Sequence, residues 1–192
     1  MVRRVAPALL VLAVSAVAES PSIDHMCTDF SPQADIIVQH CWRRAGGEQI
    51  WLASADDFGK RRLLYDTGRN ADIIFSPDES WLVINDHWGS NGSSARLYKK
   101  VAPLDYREQL DLTGGAWEFL AQHEKVSPQF DHSYTEALRW IGKPAAIVLE
   151  LSGHMDQNHH IDGWLCIYYI DAKKFSTDFD ALNKQQVTLH EK

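Results

Sequence analysis

The segment IIFSPDESWLVIND, residues 73–86, constrains the fold of this chain more than any other stretch. Two apolar runs are separated by the four residues 76–79, and the second of these four is Pro77. Proline presets the backbone for the second position of a type I turn, and aspartate tolerates the third position. Two apolar runs joined by such a turn predict an antiparallel β-hairpin. The run SWLVIND is predicted to be an inner strand that is buried on both faces.

Other apolar runs have the length and the flanking turn residues of β-strands. The predicted strands are DIIVQHCW, QIWLAS, RRLLYD, DIIF, SWLVIND, ARLYKKV, TEALRWI, AAIVLELS and GWLCIYYID, with a short closing strand at QQVTLH. Residues 19–34 are interpreted as a polar start without a strand. A helix over residues 115–126, with Thr113 as its N-cap, is predicted from four residues at helical spacing: Ala116, Trp117, Leu120 and Ala121.

The pattern around the proline corner recurs when the chain is shifted by 65 residues. IIFSPDESWLVIND then falls on LRWIGKPAAIVLEL, with Phe75 on Trp140 and Pro77 on Gly142. Each copy continues through a polar segment into a strand rich in leucine and tyrosine. The segment IWLASADDFGKRRLLYD is similar to part of a third, earlier copy. Chance similarity between amphipathic strands is the alternative, but the matched order of strands and turns favours a structural repeat.

The corner Ser76-Pro77-Asp78, the apolar strand after it and the pair Leu97-Tyr98 resemble a WD40-like (PD40, TolB-type) β-propeller repeat. The resemblance is good over residues 63–101 and faint over residues 133–171. Glu79 replaces the usual glycine, and the chain is too short for a ring of six blades. The motif specifies a turn and contains no catalytic or ligand-binding residue, so the resemblance assigns no functional residue to this chain.

This resemblance implies a mainly β fold of antiparallel blade-like sheets, propeller-like or β-sandwich-like, with one inserted short helix. The blade-like repeats are expected near residues 35–66, 71–101 and 133–171. All of them belong to a single β-rich domain that is predicted to occupy residues 19–192.

Residues 1–18 have the features of a cleaved export signal. Arg3 and Arg4 form a positive start, APALLVLAVSAV is an apolar core too short to span a bilayer, and residues 16–18 give a small-x-small cleavage site. A buried N-terminal helix is the alternative interpretation. We therefore expect a signal peptide over residues 1–18, a mature chain that begins at Glu19, and a secreted or periplasmic location.

The chain is acidic, and its negative charge makes some classes of binding partner unfavourable. Its formal net charge at pH 7 is −7, and it becomes −9 without residues 1–18, which carry two arginines and no acid. An acidic protein repels nucleic acid and anionic lipid. The expected partner is a protein, peptide or glycan, with no nucleic acid and no membrane insertion after signal cleavage.

The three cysteines are an odd set for an oxidising compartment. The favoured pair is Cys27 with Cys41, whose loop closure would stabilise the fold by about 3 kcal/mol. A bridge between Cys41 and Cys166 is the competing possibility. Cys166 lies in the apolar run WLCIYYI and is otherwise expected to pack as a small buried hydrophobe.

Histidine is the one residue type whose distribution suggests a metal-binding or catalytic site. The segment SGHMDQNHHIDG contains Asp156 and Asp162 together with three candidate metal ligands, His154, His159 and His160. No HExxH or comparable signature accompanies them, and a solvated hairpin loop is the alternative. No G-x-S-x-G elbow or phosphate-binding loop is present, so no catalytic residue and no cofactor are predicted.

Under the 65-residue shift, residues 87–94 and 153–163 occupy equivalent positions. Both are predicted to be long loops at the same edge of neighbouring sheets, and long loops are often functional. They carry an aromatic residue and neutral hydrogen-bonding groups suited to a polar or glycan-like partner. The candidate binding residues are Trp88, Asn91, His154, Asn158 and His159.

Two functions are consistent with these features. The favoured one is an exported, non-catalytic binding or scaffolding domain that recognises a protein, peptide or glycan through its loops. The alternative is a small exported hydrolase or metalloprotein centred on residues 154–160. The sequence leans against an enzyme because no catalytic signature is present.

Overall fold

The structure, a computed structural model, describes residues 23–127, 130–142, 145–156 and 159–189. The predicted signal segment therefore lies outside the described residues. A four-stranded sheet contains β1 (Ile23–Phe30), β2 (Ile36–Arg43), β3 (Glu48–Ser54) and β4 (Arg61–Thr67).

A nine-stranded sheet contains the other strands. They are β5 (Asn70–Phe75), β6 (Trp81–Gly89), β7 (Gly92–Ala102), β8 (Asp105–Asp111), β9 (His132–Ile141), β10 (Ala146–Asp156), β11 (His159–Tyr169), β12 (Lys174–Ser176) and β13 (Val187–Leu189). The helices are α1 (Leu112–Glu124) and α2 (Asp180–Asn183). Among the described residues, no helix has the length and apolarity needed to cross a bilayer.

The strands form three consecutive antiparallel meanders. The first meander is β1–β4, the second is β5–β8 and the third is β9–β12. A parallel bridge between Gly92 of β7 and Ser133 of β9 joins the second and third meanders into one sheet. Helix α1 lies between β8 and β9 in the chain. The predicted class, mainly β and antiparallel with one inserted short helix, is confirmed.

Two apolar clusters hold the meanders together. The cluster between the first and second meanders includes Ile36, Val38, Ile50, Leu52, Leu82, Ile84 and Tyr98. The cluster on the opposite face of the second meander contains Val83, Leu97, Ala116, Leu120, Leu149 and Trp164. Because successive residues of a strand point to opposite faces, β6 contributes Leu82 and Ile84 to one cluster and Val83 to the other. All three are fully buried, which confirms that SWLVIND is an inner strand.

The proline corner closes the β5–β6 hairpin. The backbone N–H of Glu79 donates to the carbonyl of Ser76 at 2.9 Å, as a tight turn requires. The hydroxyls of Ser76 and Ser80 donate to the carboxylate of Asp78 and lower its pKa. The backbone N–H of Trp81 donates to Ser76 Oγ at 3.0 Å, so the serine side chain also anchors the start of β6.

Glu79 occupies a left-handed backbone conformation, with φ of 54°, where glycine is the usual residue of the family motif. Its side chain is 2% exposed, and its carboxylate accepts a hydrogen bond from the backbone N–H of Gln33 at 2.9 Å. The Glu79 carbonyl accepts a hydrogen bond from the hydroxyl of Tyr106 at 2.7 Å. The carboxylate bond ties the corner to the first meander, which glycine cannot do because it has no side chain. The carbonyl bond ties the corner to β8 of the second meander.

Strand β9 is attached to β6 and β7 by side chains instead of a continuous backbone ladder. Asn85 donates from Nδ2 to the carbonyl of Ala137 at 2.9 Å and accepts from the N–H of Ala137 at 2.8 Å. Ser93 Oγ bonds both the N–H of Thr135, at 3.2 Å, and its carbonyl, at 3.3 Å. Buried backbone groups need such partners, so the two side chains replace a neighbouring strand.

The ends of β9 define its path across the second meander. At its start, the N–H of Ser133 donates to the carbonyl of Asn91, at the tip of the β6–β7 hairpin. Near its other end, Trp140 Nε1 donates to the carbonyl of Ile74 in β5 at 3.0 Å. Strand β9 therefore begins beside β7 and crosses the face of β6 to reach β5.

A buried carboxylate links the first and second meanders. Glu48 of β3 is fully buried, and it accepts a hydrogen bond from the backbone N–H of Ala71 in β5 at 2.8 Å. Its other oxygen lies 2.5 Å from Nδ1 of His40 in β2. This hydrogen bond raises the pKa of His40 above its ordinary value, because it favours the protonated imidazole.

Several sequence predictions about strands and caps are wrong. Strand β1 lies within the segment interpreted as a polar start, and β8 was not predicted. Half of the residues of β1 are apolar, but all eight are exposed, and β8 is largely polar. Each strand pairs with one neighbour in the described sheets, so no alternation of buried residues marks them. Helix α1 is capped by Asp111, which accepts from the N–H of Thr113 at 2.9 Å. Thr113 instead accepts from the N–H of Ala95.

The predicted disulfide is absent, because all three cysteines are free thiols. Cys27 lies opposite His40, whereas Cys41 lies opposite Met26. Directly opposed residues share a face and successive residues alternate, so Cys27 and Cys41 point to opposite faces of the first sheet. The competing bridge to Cys166 is not formed either. Cys166 is fully buried, as expected of a small hydrophobe, and burial raises the pKa of its thiol to about 12.

The bonds of Asn85 give the first prediction. Asn85→Ala leaves the N–H and carbonyl of Ala137 buried without partners, so we expect the free energy of unfolding to fall by about 2–4 kcal/mol. Denaturant unfolding followed by tryptophan fluorescence measures this loss. Asn70→Ala, at an exposed position of β5, is the matched control and is expected to change stability by less than about 0.5 kcal/mol. Equal stability of the two variants would contradict the account of β9.

The pair of His40 and Glu48 gives a pH-dependent prediction. The folded protein binds a proton at His40 more tightly than the unfolded chain does, because the pKa of His40 is raised above 6.5. The stabilisation is complete below that value and is lost as the pH rises through the folded pKa. We expect unfolding free energy, measured from pH 6 to pH 8.5, to decline less steeply in His40→Gln than in wild type. His25→Gln, at an exposed position of β1, is the control, and identical slopes in all three proteins would refute the prediction.

Candidate functional site

The two segments predicted to be long loops are the tips of β-hairpins. Strand β6 continues to Gly89 and β7 begins at Gly92, which leaves a two-residue turn at residues 90–91. Strand β10 continues to Asp156 and β11 begins at His159. The loop prediction is wrong because polar residues such as His87 and Ser94 are compatible with strands that extend beyond the apolar core.

The two tips lie on either side of the start of β9. The carbonyl of Asn91 accepts a hydrogen bond from the N–H of Ser133, and the hydroxyl of Tyr134 donates to the carbonyl of Ser90 at 2.8 Å. On its other side, β9 pairs with β10, with Ser133 opposite Gly153. We call this surface the hairpin edge: the β6–β7 turn at residues 90–91, the described ends of β10 and β11 near residues 152–154 and 160–162, and the start of β9 between them.

The predicted binding residues are placed as follows. Trp88 is 49% exposed, and its ring covers Gly92 so closely that a side chain at position 92 would clash with it. Asn91 is exposed and forms its described contact with β9 through its carbonyl. His154 is exposed on β10. Asn158 and the side chain of His159 lie outside the described residues, although the backbone of His159 is opposite Asp156.

Three histidines lie in register across the third meander, and we call them the histidine row. His154 of β10 is opposite His132 of β9 on one side and opposite His160 of β11 on the other. Opposed residues share a face of the sheet. The rings of His132 and His154 are stacked, with centroids 4.3 Å apart and planes within 10°. The Nδ1 atom of His132 is buried and has no hydrogen-bond partner among the described residues.

A groove of about 570 Å³ opens beside the histidine row. Its lining residues are Tyr134, Ser152, Gly153, His154, His160, Ile161 and Asp162. Gly163 follows with φ of 76°, and its N–H donates to Ser152 Oγ at 2.9 Å. This left-handed residue accompanies a shift in the pairing of β10 with β11, next to Asp162. The groove therefore combines an aromatic ring, a hydroxyl, imidazoles and a carboxylate.

The surface beside the groove is acidic. Glu136 of β9 lies directly opposite Glu150 of β10. Burial, followed by the charges of Glu136 and Asp162, raises the pKa of Glu150. His87 lies between two carboxylates, with Nε2 3.0 Å from Asp72 and Nδ1 3.7 Å from Glu136. Such a surface repels anions and favours ligands that donate hydrogen bonds or carry positive charge.

The candidate metal ligands are only partly described. His154 and His160 both line the groove, whereas the side chain of His159 is outside the described residues. Within the part of the chain that the structure describes, no three histidine, cysteine, aspartate or glutamate side chains are already arranged to hold a metal ion. The ring planes of the His132–His154 pair are parallel and do not point toward a common centre.

His132 and Tyr134 were missed by the sequence analysis. They lie in FDHSY, before the apolar part of the predicted strand TEALRWI, and no spacing pattern relates them to residues 154–162. The antiparallel pairing of β9 with β10 brings Tyr134 to the groove and His132 against the ring of His154. No signal in the sequence alone specifies that register.

The chain matches no protein-family model, and neither curated proteins nor solved structures give a match. The resemblance of the proline corner to a WD40-like repeat therefore stays a prediction. Any functional assignment depends on the geometry of the chain itself.

Proposed function

We propose that the protein is an exported, non-catalytic binding domain that recognises a protein, peptide or glycan at the hairpin edge. The observation that carries this proposal is the convergence of two hairpin tips on the start of β9, beside a polar groove of about 570 Å³. Concave sites with a few convergent polar groups are the usual form of a ligand site.

The hairpin edge is held in place before any ligand arrives. Tyr134 is bonded to Ser90, Ser133 is bonded to Asn91, and the ring of Trp88 packs on Gly92. Each contact fixes a different part of the edge. A preorganised surface loses less conformational freedom on binding, which favours affinity.

The chemistry of the edge favours a ligand rich in hydrogen-bond donors. Asp162 and Ser152 offer oxygen acceptors, and the half-exposed indole of Trp88 offers an apolar face for a sugar ring or a peptide side chain. The carboxylates of Glu136 and Glu150 disfavour an anionic partner. We therefore propose a neutral glycan or a neutral to basic peptide segment as the ligand.

We also propose that the second and third meanders are blade-like repeats of the WD40-like kind. The 65-residue shift carries Leu82 of β6 onto Ile147 of β10, and both are fully buried. The same shift aligns the proline corner that follows β5 with the Gly142 corner that follows β9. The two hairpins at the edge then occupy equivalent positions in their repeats, and such an edge is where a repeat protein carries its binding residues.

A secreted or periplasmic location belongs to the same proposal, on the strength of the signal-like residues 1–18. The alternative function, a small exported hydrolase or metalloprotein centred on residues 154–160, uses the same edge.

The test of the binding edge uses point variants that preserve the fold. The full chain is screened on a glycan array and on a peptide array, and each ligand found is titrated against Trp88→Ala and Asp162→Asn. Asp162 is exposed, whereas Trp88 is half-exposed with its ring on Gly92, so the melting temperature of each variant is measured to separate lost ligand contact from a loosened edge. We expect affinity to fall by at least about tenfold in each variant, the change that 1.4 kcal/mol of lost contact energy produces.

Matched controls come from the first meander. Phe58→Ala removes an aromatic side chain that is 61% exposed, and Asp57→Asn removes a carboxylate, both in the β3–β4 turn. They are expected to bind as wild type does. Equal loss in test and control variants, or full binding by Trp88→Ala and Asp162→Asn, would remove the hairpin edge as the binding surface.

A further inference from the structure

Strand β1 forms an unprotected edge of the first sheet. It pairs with β2 on one side, and no described element pairs with its other side. All eight of its residues, IDHMCTDF, are exposed, and neither lysine nor proline occurs among them. Proteins usually block such an edge with lysine, proline, a bulge or a covering element, because its free N–H and C=O groups can pair with another chain. The irregularity in β1 lies between Ile23 and His25, so the edge is regular and open over residues 25–30.

We propose that β1 pairs antiparallel with β1 of a second copy of this chain, about a two-fold axis that passes through Cys27. The first sheets of the two copies then join into one continuous sheet. Closed two-fold dimers, in which the same surface of both copies forms the contact, are the commonest assemblies of identical chains. This surface is separate from the hairpin edge, so the inference goes beyond the proposed function and does not depend on it.

The polar side chains of β1 are self-complementary in this register. His25 lies two residues before Cys27, and Asp29 lies two residues after it. The two-fold axis therefore places His25 of each copy opposite Asp29 of the other. An imidazole N–H donates to a carboxylate, and complementary side chains on directly opposed residues stabilise a pair of strands. The dimer gains two such pairs, one on either side of the axis.

The neighbouring registers are less favourable. With the axis midway between Met26 and Cys27, Asp24 of each copy faces Asp29 of the other, and like charges on opposed residues repel. With the axis at Met26, or midway between Cys27 and Thr28, no histidine of β1 faces an aspartate. The side chains of β1 therefore favour the register centred on Cys27.

The same register covers apolar side chains that a single chain leaves exposed. Met26 is 51% exposed and Phe30 is 65% exposed. Both lie on one face of the sheet, because they are opposed to Cys41 and Ile37, two alternate residues of β2. Phe30 of one copy is diagonal to Met26 of the other, at a spacing of about 7–8 Å that aromatic and long side chains can bridge. Pairing therefore removes apolar surface from water in both copies.

The second meander does not cover this edge. The apolar cluster between the first and second meanders contains Ile36 and Val38 of β2 and Ile50 and Leu52 of β3, and no residue of β1 belongs to it. The side chains on both faces of β1 are exposed. The edge is therefore accessible to a strand at the usual spacing of about 4.8 Å.

Analytical ultracentrifugation of the full chain, from micromolar to millimolar concentrations, tests the pairing. We expect a reversible equilibrium between monomer and dimer in the wild-type protein. His25→Asp replaces both favourable pairs by repulsive ones, so its dimer dissociation constant should rise by at least about tenfold. The double variant His25→Asp/Asp29→His restores complementary partners across the axis and should recover most of the lost affinity.

A matched control separates the register from net charge. Asn70→Asp adds the same charge at an exposed position of β5, in the other sheet, and is expected to dimerise as wild type does. The melting temperature of each variant confirms that it is folded under the conditions of the measurement.

Cross-linking through Cys27 reports the register directly. Opposed residues of antiparallel strands have Cα atoms about 4.5–5.5 Å apart, within the range of about 4.4–6.8 Å that a disulfide needs. Oxidised glutathione is reduced as two Cys27 thiols become one disulfide, and it should therefore link two copies. Peptide mass spectrometry should find Cys27 joined to Cys27, with the buried thiols of Cys41 and Cys166 unlinked. Cys27→Ser should abolish the link and leave the reversible dimer.

Three outcomes would overturn the proposal. The first is a wild-type protein that stays monomeric throughout the concentration range, including one whose β1 edge binds an extended partner peptide instead. The second is a dimer that His25→Asp leaves as tight as wild type, or that the double variant fails to recover. The third is a cross-linked dimer joined through cysteines other than Cys27. Because these variants lie outside the hairpin edge, none of the results bears on the proposed function.

Discussion

Asn85 gives the backbone of Ala137 both of the hydrogen bonds that a neighbouring strand would otherwise supply. The residue sits on β6, the inner strand whose apolar neighbours Leu82, Val83 and Ile84 are fully buried on both faces. A backbone N–H and a carbonyl in such surroundings need partners, and water does not reach them. Asn85 is therefore the central attachment of β9 to the second meander, with Ser93 repeating the same pairing for Thr135 and with backbone and indole hydrogen bonds at the two ends of β9. The path of β9 depends on these two side chains.

That path determines where the candidate site lies. Because β9 starts beside the tip of the β6–β7 hairpin and pairs with β10 on its other side, it brings two hairpins to one edge. Through the same strand, Tyr134 reaches the groove and His132 stacks on His154 beside it. The acidic surface near Glu150 and the row of histidines then give this edge a chemistry distinct from the apolar clusters that stabilise the sheets. The proposed ligand site follows from this one strand placement.

The sequence predicts the parts of this structure that depend on local pattern. The continuous apolar run of SWLVIND and the turn at Pro77 identify the inner hairpin, and helical spacing around Trp117 identifies α1. Strand β1 escapes prediction because its eight residues are all exposed and so show no alternation of buried positions. The hairpin tips were taken for loops because polar residues continue strands wherever backbone pairing is available. The histidine row depends on the register between strands, and a cross-strand register is not encoded by the spacing of His132 relative to His154. The double hydrogen bond between Asn85 and Ala137 is likewise a tertiary contact, made with a residue 52 positions away.

Native-state amide hydrogen exchange tests the attachment of β9 most directly. The account predicts that the amides of Thr135 and Ala137 are protected in the wild-type protein nearly as strongly as that of Ile84 in β6. In Asn85→Ala, those two amides should lose protection by a larger factor than the amides of Ile50 and Leu52 in the first sheet, since local opening of β9 adds to the general loss of stability. Rapid exchange of Ala137 in the wild-type protein, or protection of Ala137 that Asn85→Ala leaves unchanged, would contradict the claim that side-chain pairing holds β9 and the hairpin edge in place.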